Sequence, residues 1–523
     1  MAFLPWSGQL GFRPSPCEAS RYHAGMSAAP LFAFDNTYAN ELEGFYSRFD
    51  PPGFPSPRLV LLNEALATEL GLDVAALRAQ AADVLSATRI PEGAVPLAQA
   101  YAGHQFGGLS PQLGDGRALL LGELIDTHGK RRDLHLKGSG RTPFSRGGDG
   151  FATLGPVLRE YVMGEAMHHL GIPTTRALAA VTTGAQVRRE GLLPGAVLAR
   201  VAQSHIRVGT FQFFAIRDDV PKLQQLVRYT LARHYPEHVD AANPALALLR
   251  EAITAQASLI AQWMLVGFIH GVMNTDNMTL SGETIDYGPC AFMDVYHPGT
   301  VFSSIDRQGR YAYGNQPGIG QWNLARLAEA LLPLLDPDEK RAIDLAQDAL
   351  GVYPVTYMAC WLRGIRAKLG LTTQVTDGSA SDEEDGTLAE ELLGLMDAQK
   401  VDFTSTFRVL SQVVRGDAAP ARVRFADPTA FDAWTHAWQD RLARQGEPAD
   451  AVAQRMDRTN PVYIPRNHKV EEALSAAVAG DLTPFMTLLD VLARPFEERA
   501  GLEAYAEPAP PAFEETFQTF CGT

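Results

Sequence analysis

Cysteine is scarce in this chain: Cys17, Cys290, Cys360 and Cys521 are all it has in 523 residues, and no Cys-x-x-Cys occurs. That excludes a thiolate zinc module and a disulfide framework, both of which need clustered cysteines. It fits a reducing compartment, so a cytoplasmic location is expected. Long apolar runs are missing too. The best, from Leu259 to Ile269, is interrupted by Gln262 and Gly267 and falls short of the roughly 18 residues that span a bilayer, so no membrane partner is expected. Positive charge is in deficit, with 45 Lys and Arg against 60 Asp and Glu and a formal net charge of −15. This argues against nucleic acid as a partner while leaving room for a local basic pocket. No Walker A motif, Gly-x-Gly-x-x-Gly loop or internal repeat is present. Residues 1–30 lack the apolar core and basic start of a signal peptide and read as a disordered leader.

What is present is ordinary globular composition, 46% hydrophobic and 20% charged, at a length that suggests two or more domains of about 100–200 residues. The most informative stretch runs from His270 to Gly288. It holds Asp276-Asn277, a short turn through Ser281 and Gly282, and then Ile285-Asp286-Tyr287-Gly288. Oxygen ligands on two segments joined by a tight hairpin suit a hard cation that also keeps phosphate oxygens in its shell. Kinase-like enzymes build such a site from a catalytic loop ending in Asn and an Asp-Phe-Gly segment, roles that Asn277 and Asp286 would fill. Read alone, the two short motifs are common turn sequences. One position departs from the kinase pattern: aligning His270 and Asn277 on His-x-Asp-x-x-x-x-Asn puts Val272 where the base should stand. Valine cannot accept a proton. The nearby carboxylate is Asp276, so ordinary phosphorylation of a hydroxyl is not the expected chemistry.

Upstream, Leu59–Leu62 and then a short helix from Glu64 to Leu70 precede a glycine-dense stretch, Tyr101–Arg117, which on its own reads as tight turns rather than a phosphate loop. Strands are expected at Ala118–Ile125, Asp133–Lys137, Ala177–Thr182 and Ala196–Val201, and a helix from Pro156 to Leu170. A strand Lys paired with a helix Glu positions ATP phosphates in kinase-like folds; Glu160 and Glu165 both qualify by spacing. The basic, glycine-rich connection Gly138–Gly150 is of a kind that folds over phosphates, and Arg200 and Arg207 are planar donors suited to polyphosphate. Beyond residue 216 the pattern is helical, with helices over 222–235, 245–269 and 321–335 and others up to about residue 500. Asp377–Glu391 reads as a solvated acidic linker and residues 508–523 as a loosely held tail. The expected division is a leader (1–30), a β-rich part (31–215), a helical part (216–507) and the tail with Cys521 (508–523).

Seven motifs, in order, resemble the selenoprotein O family. They are Gly-His-Gln-Phe-Gly (103–107), Gln-Leu-Gly-Asp-Gly-Arg (112–117), the long run from His135 to Gly150, Gly-Ile-Pro-Thr-Thr-Arg (171–176), His270–Met278, Ile-Asp-Tyr-Gly-Pro (285–289) and Asn-Pro-x-Tyr-Ile-Pro-Arg-Asn-His (460–468). The resemblance runs from about residue 32 to the C-terminus. It implies an α+β, protein-kinase-like bilobal fold with a β-rich N-lobe and an extended, mostly helical C-lobe. It implies transfer of AMP from ATP to Ser, Thr or Tyr hydroxyls of proteins, with UMP transfer from UTP as the alternative, using Mg²⁺ or Mn²⁺. The nucleotide would lie inverted relative to a kinase, its α-phosphate facing the acceptor, which accounts for Val272. By motif, Lys137 would grip phosphates and be held by Glu160, while Gly114, Gly116, Arg117, Asp149 and Gly150 would touch the nucleotide. Arg200 and Arg207 would hold the terminal phosphates, Asn277 and Asp286 the metal, with Asp286 also at the nucleotide, and Asp276 would accept the proton. Some members carry selenocysteine where Cys521 stands. Some bacterial members link the C-terminal Cys to the segment after Asp-Tyr-Gly; here Val301–Ile305 has no cysteine, so that link is not expected. Two other readings remain at this point, a γ-phosphate kinase and an inactive nucleotide-binding scaffold. Val272 weighs against the first, and the retention of Lys137, Asn277 and Asp286 against the second.

Overall fold

Apolar runs broken by turn residues fill the first 200 positions, and they pair into antiparallel sheet. In the computed structural model, which describes residues 30–189, 191–375 and 381–520, these strands are β1 (Tyr46–Arg48), β2 (Arg58–Leu62), β3 (Leu97–Gln99), β4 (Gly103–Gln105), β5 (Gly108–Ser110), β6 (Ala118–Ile125), β7 (Arg131–Lys137), β8 (Ala152–Thr153), β9 (Arg176–Arg188) and β10 (Leu192–Ala202). The main sheet has the order β1-β3-β6-β7-β10-β9-β2, with β8 also on β10, while β4 and β5 form a separate hairpin. The leader, up to residue 29, and Cys521 lie outside the described residues.

Strand periodicity sorts the sheet's side chains. Leu119, Leu121, Leu134, Leu136, Val197 and Val201 pack with the helices Glu64–Glu69 and Val74–Val84 in one core. The alternate residues point the other way. Lys137 pairs with Leu198 and His135 with Arg200, so Lys137, His135 and Arg200 share the second face. The helix Leu154–His169 covers that face and is buried along most of its length. It begins two residues before Pro156, which sits in the first turn where its missing N–H leaves no bond unmade. The expected strands at 177–182 and 196–201 are the first half of the longer β9 and the second half of the longer β10.

The second half is helical, through Pro244–Leu265, Gln316–Leu335, Val352–Lys368, Phe403–Val414 and Pro428–Ala443 among others. The long helix ends at Leu265, four residues before the expected Ile269. Gly267 adopts φ +71° and turns the chain into β11 (Phe268–Ile269), which pairs with β12 (Ala291–Phe292). This pairing clamps both ends of the stretch 270–290.

Two expectations are corrected here. The acidic run is not a linker over its described part: Asp382–Gln399 is a helix capped by Ser381. Acidic residues in a first turn favour a helix by opposing its dipole, and Asp385 is buried between Arg366 (2.6 Å) and Arg441 (2.8 Å). Nor is the tail loose as far as residue 520. Pro511–Glu514 is a short helix, Phe517 packs on Phe302 at 5.6 Å, and Thr519 bonds through its backbone to Phe302 and Ser304. The tail therefore lies along Val301–Ile305 through backbone bonds. Cys290 is buried, its Sγ 3.5 Å from the Tyr287 carbonyl.

The 460–468 motif explains how these parts are tied together. Arg466, fully buried, donates to Asp294 at 2.5 Å, to both oxygens of Asp402 at 2.7 and 3.1 Å, and to the Ala506 carbonyl at 2.7 Å. Asp294 also accepts from the Ala509 amide, and Asn467 donates to the Phe292 carbonyl. One guanidinium thus joins the segment after β12, the helix starting at Phe403 and the approach to the tail. Among the described residues no helix is long and apolar enough to cross a membrane.

Candidate active site

The chemistry concentrates where the second face of the sheet meets residues 270–290. Asp286 stands at φ +63°, a left-handed conformation that is uncommon outside glycine and recurs at functional sites. Three cations converge on it: Lys137 Nζ at 2.6 Å and Arg200 Nη1 at 2.7 Å on Oδ1, and Arg207 Nη1 at 2.9 Å on Oδ2. Glu160 accepts from Lys137 at 2.6 Å and from Arg200 at 2.9 Å. The register that spacing left open is thereby decided: Glu165 turns away to bind Arg176 with both oxygens, at 2.9 and 2.8 Å. Asp115 also lies 3.8 Å from Arg207, so three cations meet three carboxylates, and an anion would be held by taking hydrogen bonds over from Asp286 rather than by excess charge. Burial alone would raise the carboxyl pKa values of Asp286 and Glu160. The cations outweigh it, holding Asp286 well below the carboxylate range and lowering Glu160.

A layer that the sequence reading missed fixes the arginines. His135 lies 3.2 Å from Asp115, accepts from Arg200 Nε at 3.3 Å and stacks on His205 at 4.1 Å. Burial pushes both imidazoles down, so His135 is neutral, accepting from Arg200 through Nδ1 and donating to Asp115 through Nε2. Arg207 stacks on Tyr101 at 4.5 Å. The signals were there in part: Asp115 lies within Gln-Leu-Gly-Asp-Gly-Arg, and His135 is on the Lys137 side of an alternating strand.

Asp276 lies across the pocket. Burial raises its pKa to about 6. Gln105, another residue not anticipated, donates to its Oδ2 at 3.2 Å, and Arg207 donates to its carbonyl at 2.7 Å. Asn277 commits its amide nitrogen to the Val272 carbonyl at 3.0 Å, so Oδ1 is the side-chain atom it could offer a cation.

Gly114, Gly116, Arg117, Lys137, Asp149, Gly150, Arg200, Arg207, Asp276, Asn277 and Asp286 all line one cavity of 330 Å³, with Val272 in its wall. Glu160 stands behind Lys137. Gly114 (φ +74°) is required because a Cβ there would run into the Phe144 ring, and Gly150 (φ +75°) because one would strike the Gly140 carbonyl. The basic connection 138–150 thus closes down on the glycine-dense stretch. Asp149, at the rim, is paired with Arg189 at 2.7 Å. A larger cavity of 810 Å³ shares Arg117, Lys137 and Gly288 but is walled mainly by apolar side chains, including Phe513 and Phe517 of the tail. The converging charges belong to the smaller one.

The donor set bears on the metal. Among the described residues no group of three or more His, Cys, Asp or Glu is arranged to hold an ion. Asn277 and Asp286 offer oxygen ligands in a single cavity. That fits Mg²⁺ or Mn²⁺ completed by phosphate oxygens rather than an all-protein cage.

Comparison with known proteins shows the family. The family model described as "Protein adenylyltransferase SelO" matches residues 31–493. Relatives named "Protein nucleotidyltransferase YdiU" are similar over nearly their whole length. One from Cereibacter sphaeroides is 62% identical over 493 residues, covering 94% of this chain and 100% of the relative. One from a Mycobacterium species is 58% identical over 492 residues, covering 94% and 99%. One from Rhizobium leguminosarum is 56% identical over 502 residues, covering 95% and 98%. With matches of this extent, the chain belongs to the SelO family.

Proposed function

We propose that this protein transfers AMP from ATP to Ser, Thr or Tyr hydroxyls of other proteins, with the nucleotide inverted relative to a kinase. The observation that carries the reading is the division of the pocket into a buried cation cluster and a separate carboxylate, Asp276, of pKa about 6. Arg200 and Arg207 receive the terminal phosphates, taking them in place of Asp286. Lys137, held by Glu160, grips the phosphates beside them, and Gly114, Gly116, Arg117, Asp149 and Gly150 contact the rest of the nucleotide. Asn277 and Asp286 would hold Mg²⁺ or Mn²⁺, which when bound neutralises phosphate charge. Asp276 takes the proton of the attacking hydroxyl as its oxygen bonds to the α-phosphorus and pyrophosphate leaves. A base near pKa 6 is ionised at neutral pH yet still basic enough to help. Gln105 orients it. Val272 needs no replacement, because the acceptor approaches the α-phosphate and not the γ-phosphate.

On this reading the sheet-bearing part (31–215) and the helical part (216–507) are the N-lobe and C-lobe of a kinase-like bilobal fold, working on cytoplasmic nucleotide. The relatives' broader name, nucleotidyltransferase, leaves the nucleotide open, and UMP transfer from UTP is the second reading. Mass spectrometry of acceptor proteins incubated with ATP or UTP and either metal separates the cases. AMP adducts on hydroxyl residues are expected, UMP adducts alone would favour the second reading, and phosphate adducts would contradict both.

Lys137→Ala is expected to lower transfer about 10²–10³-fold with little change in melting temperature. Both carboxylates it touches keep an arginine, Glu160 through Arg200 and Asp286 through Arg200 and Arg207. Parallel transfer and melting assays check this; a collapse in melting temperature would make Lys137 a structural residue.

A further inference from the structure

The 103–107 motif is only partly used by the site, through Gln105. Its remainder builds the tip of the β4–β5 hairpin, where Phe106 (φ +52°) and Gly107 (φ +86°) form a two-residue turn with both residues left-handed. Such turns favour Asn and Gly, and an aromatic residue there is held against its own backbone preference. What holds it is the catalytic loop. The Phe106 amide donates to Asn274 Oδ1 at 3.1 Å and to the Tyr311 hydroxyl at 3.2 Å, and the His104 amide donates to Thr275 Oγ1 at 2.7 Å. With Gln105 on Asp276, the hairpin is fastened to three consecutive residues ending in the base. Phe106 is nevertheless 41% exposed.

The surroundings of the tip are aromatic and cationic. The Phe106 ring lies 5.2 Å from Tyr311. Arg310 and Arg326 each sit 4.8 Å from the Trp322 ring, which also meets His104 at 5.4 Å. Arg326 is paired with Glu329 at 2.6 Å; among the described residues Arg310 is in no ion pair. In a chain of net charge −15 this patch stands apart, and Phe106, Arg310 and Trp322 are not among the residues lining the nucleotide cavity. Asp276 Oδ1 is buried against Gly103, with no hydrogen-bond partner among the described residues, which leaves Oδ2, the oxygen that Gln105 holds, as the one on offer to an acceptor.

We infer that this surface docks the acceptor protein and selects a hydroxyl with an apolar residue beside it, seated on Phe106, and acidic residues next to that, drawn to Arg310. The inference rests on the transferase reading. It is tested with the full-length chain, α-labelled ATP and two synthetic peptides, each made in serine, threonine and tyrosine versions. One places Glu-Phe immediately before the hydroxyl; the other places Lys-Ala there. The expected result is a KM about tenfold lower for the Glu-Phe peptide. Phe106→Asn, which suits the turn, and Arg310→Gln should each raise that KM several-fold, with ATP affinity and transfer to the Lys-Ala peptide unchanged. Equal KM values for the two peptides, or variants without effect, would overturn the acceptor surface while leaving the transferase intact. No transfer to either peptide by the ATP-bound parent protein would overturn the transferase reading and this one with it.

Discussion

An Asp286→Ala variant is expected to lose metal-dependent transfer by about 10³-fold or more while binding metal-free ATP at least as tightly as the parent. The two halves of this prediction have one cause. Asp286 is the sole carboxylate shared by Lys137, Arg200 and Arg207, so it competes with phosphate for the cations that phosphate needs. Removing it frees them for the nucleotide and deletes the charged member of the Asn277–Asp286 pair. The cluster then holds three cations against Glu160 and Asp115, so the apo variant should also melt lower, and ATP should restore part of the loss by mass action. Transfer assays with Mg²⁺ and Mn²⁺ beside calorimetric ATP titrations with and without metal check both halves. Undiminished transfer at saturating metal would contradict the assignment of Asp286.

The second large effect lies away from the chemistry. Arg466→Met should destabilise the protein by about 3–5 kcal/mol, the cost of leaving buried carboxylates without their cation. Both Asp294 and Asp402 depend on this one guanidinium, and no other ion pair of either is seen among the described residues. The pH dependence follows, and it should be weaker in the variant than in the parent. In the parent, burial would raise the Asp402 pKa, but Arg466 outweighs it and holds it low. That stability is present above the ordinary carboxylate value and is lost as pH falls through the lower folded value. In the variant the cation is gone and the Ser405 hydrogen bonds still oppose burial, so the folded pKa should rise above the parent's and less stability should be lost on the acid side. Denaturant unfolding at several pH values measures this. Arg466→Met unfolding like the parent across that range would show the cluster to be energetically neutral.

Much of the site could be read from the chain because its residues fall in local patterns with a mechanical meaning. Lys137 closes an alternating strand, Asn277 and Asp286 flank a turn, and the glycines mark close approaches. What could not be read depends on pairing between distant segments. Glu160 and Glu165 lie on one helix, and only the approach of Arg176 to Glu165 leaves Glu160 for Lys137. The His135–Asp115 layer and the contact of Gln105 with Asp276 join strands and loops that local patterns leave unconnected. The acidic run misled for a related reason: charge suggested solvent, but Asp385 is neutralised by Arg366 and Arg441 from other helices. In the tail, Phe513 and Phe517 stack on each other at 5.0 Å and Phe517 packs on Phe302, a contact with a segment far back in the chain that the tail's own pattern does not reveal.

An inverted nucleotide sends the α-phosphate, not the γ-phosphate, to the protein acceptor. ATP labelled at one or the other position, incubated with Mg²⁺ or Mn²⁺ and a cell lysate as the source of acceptors, distinguishes the two. Protein-bound label is expected from the α-position only, lost with Asp276→Asn. Label from the γ-position would mean a kinase, and both the inverted nucleotide and the role given to Asp276 would have to be abandoned.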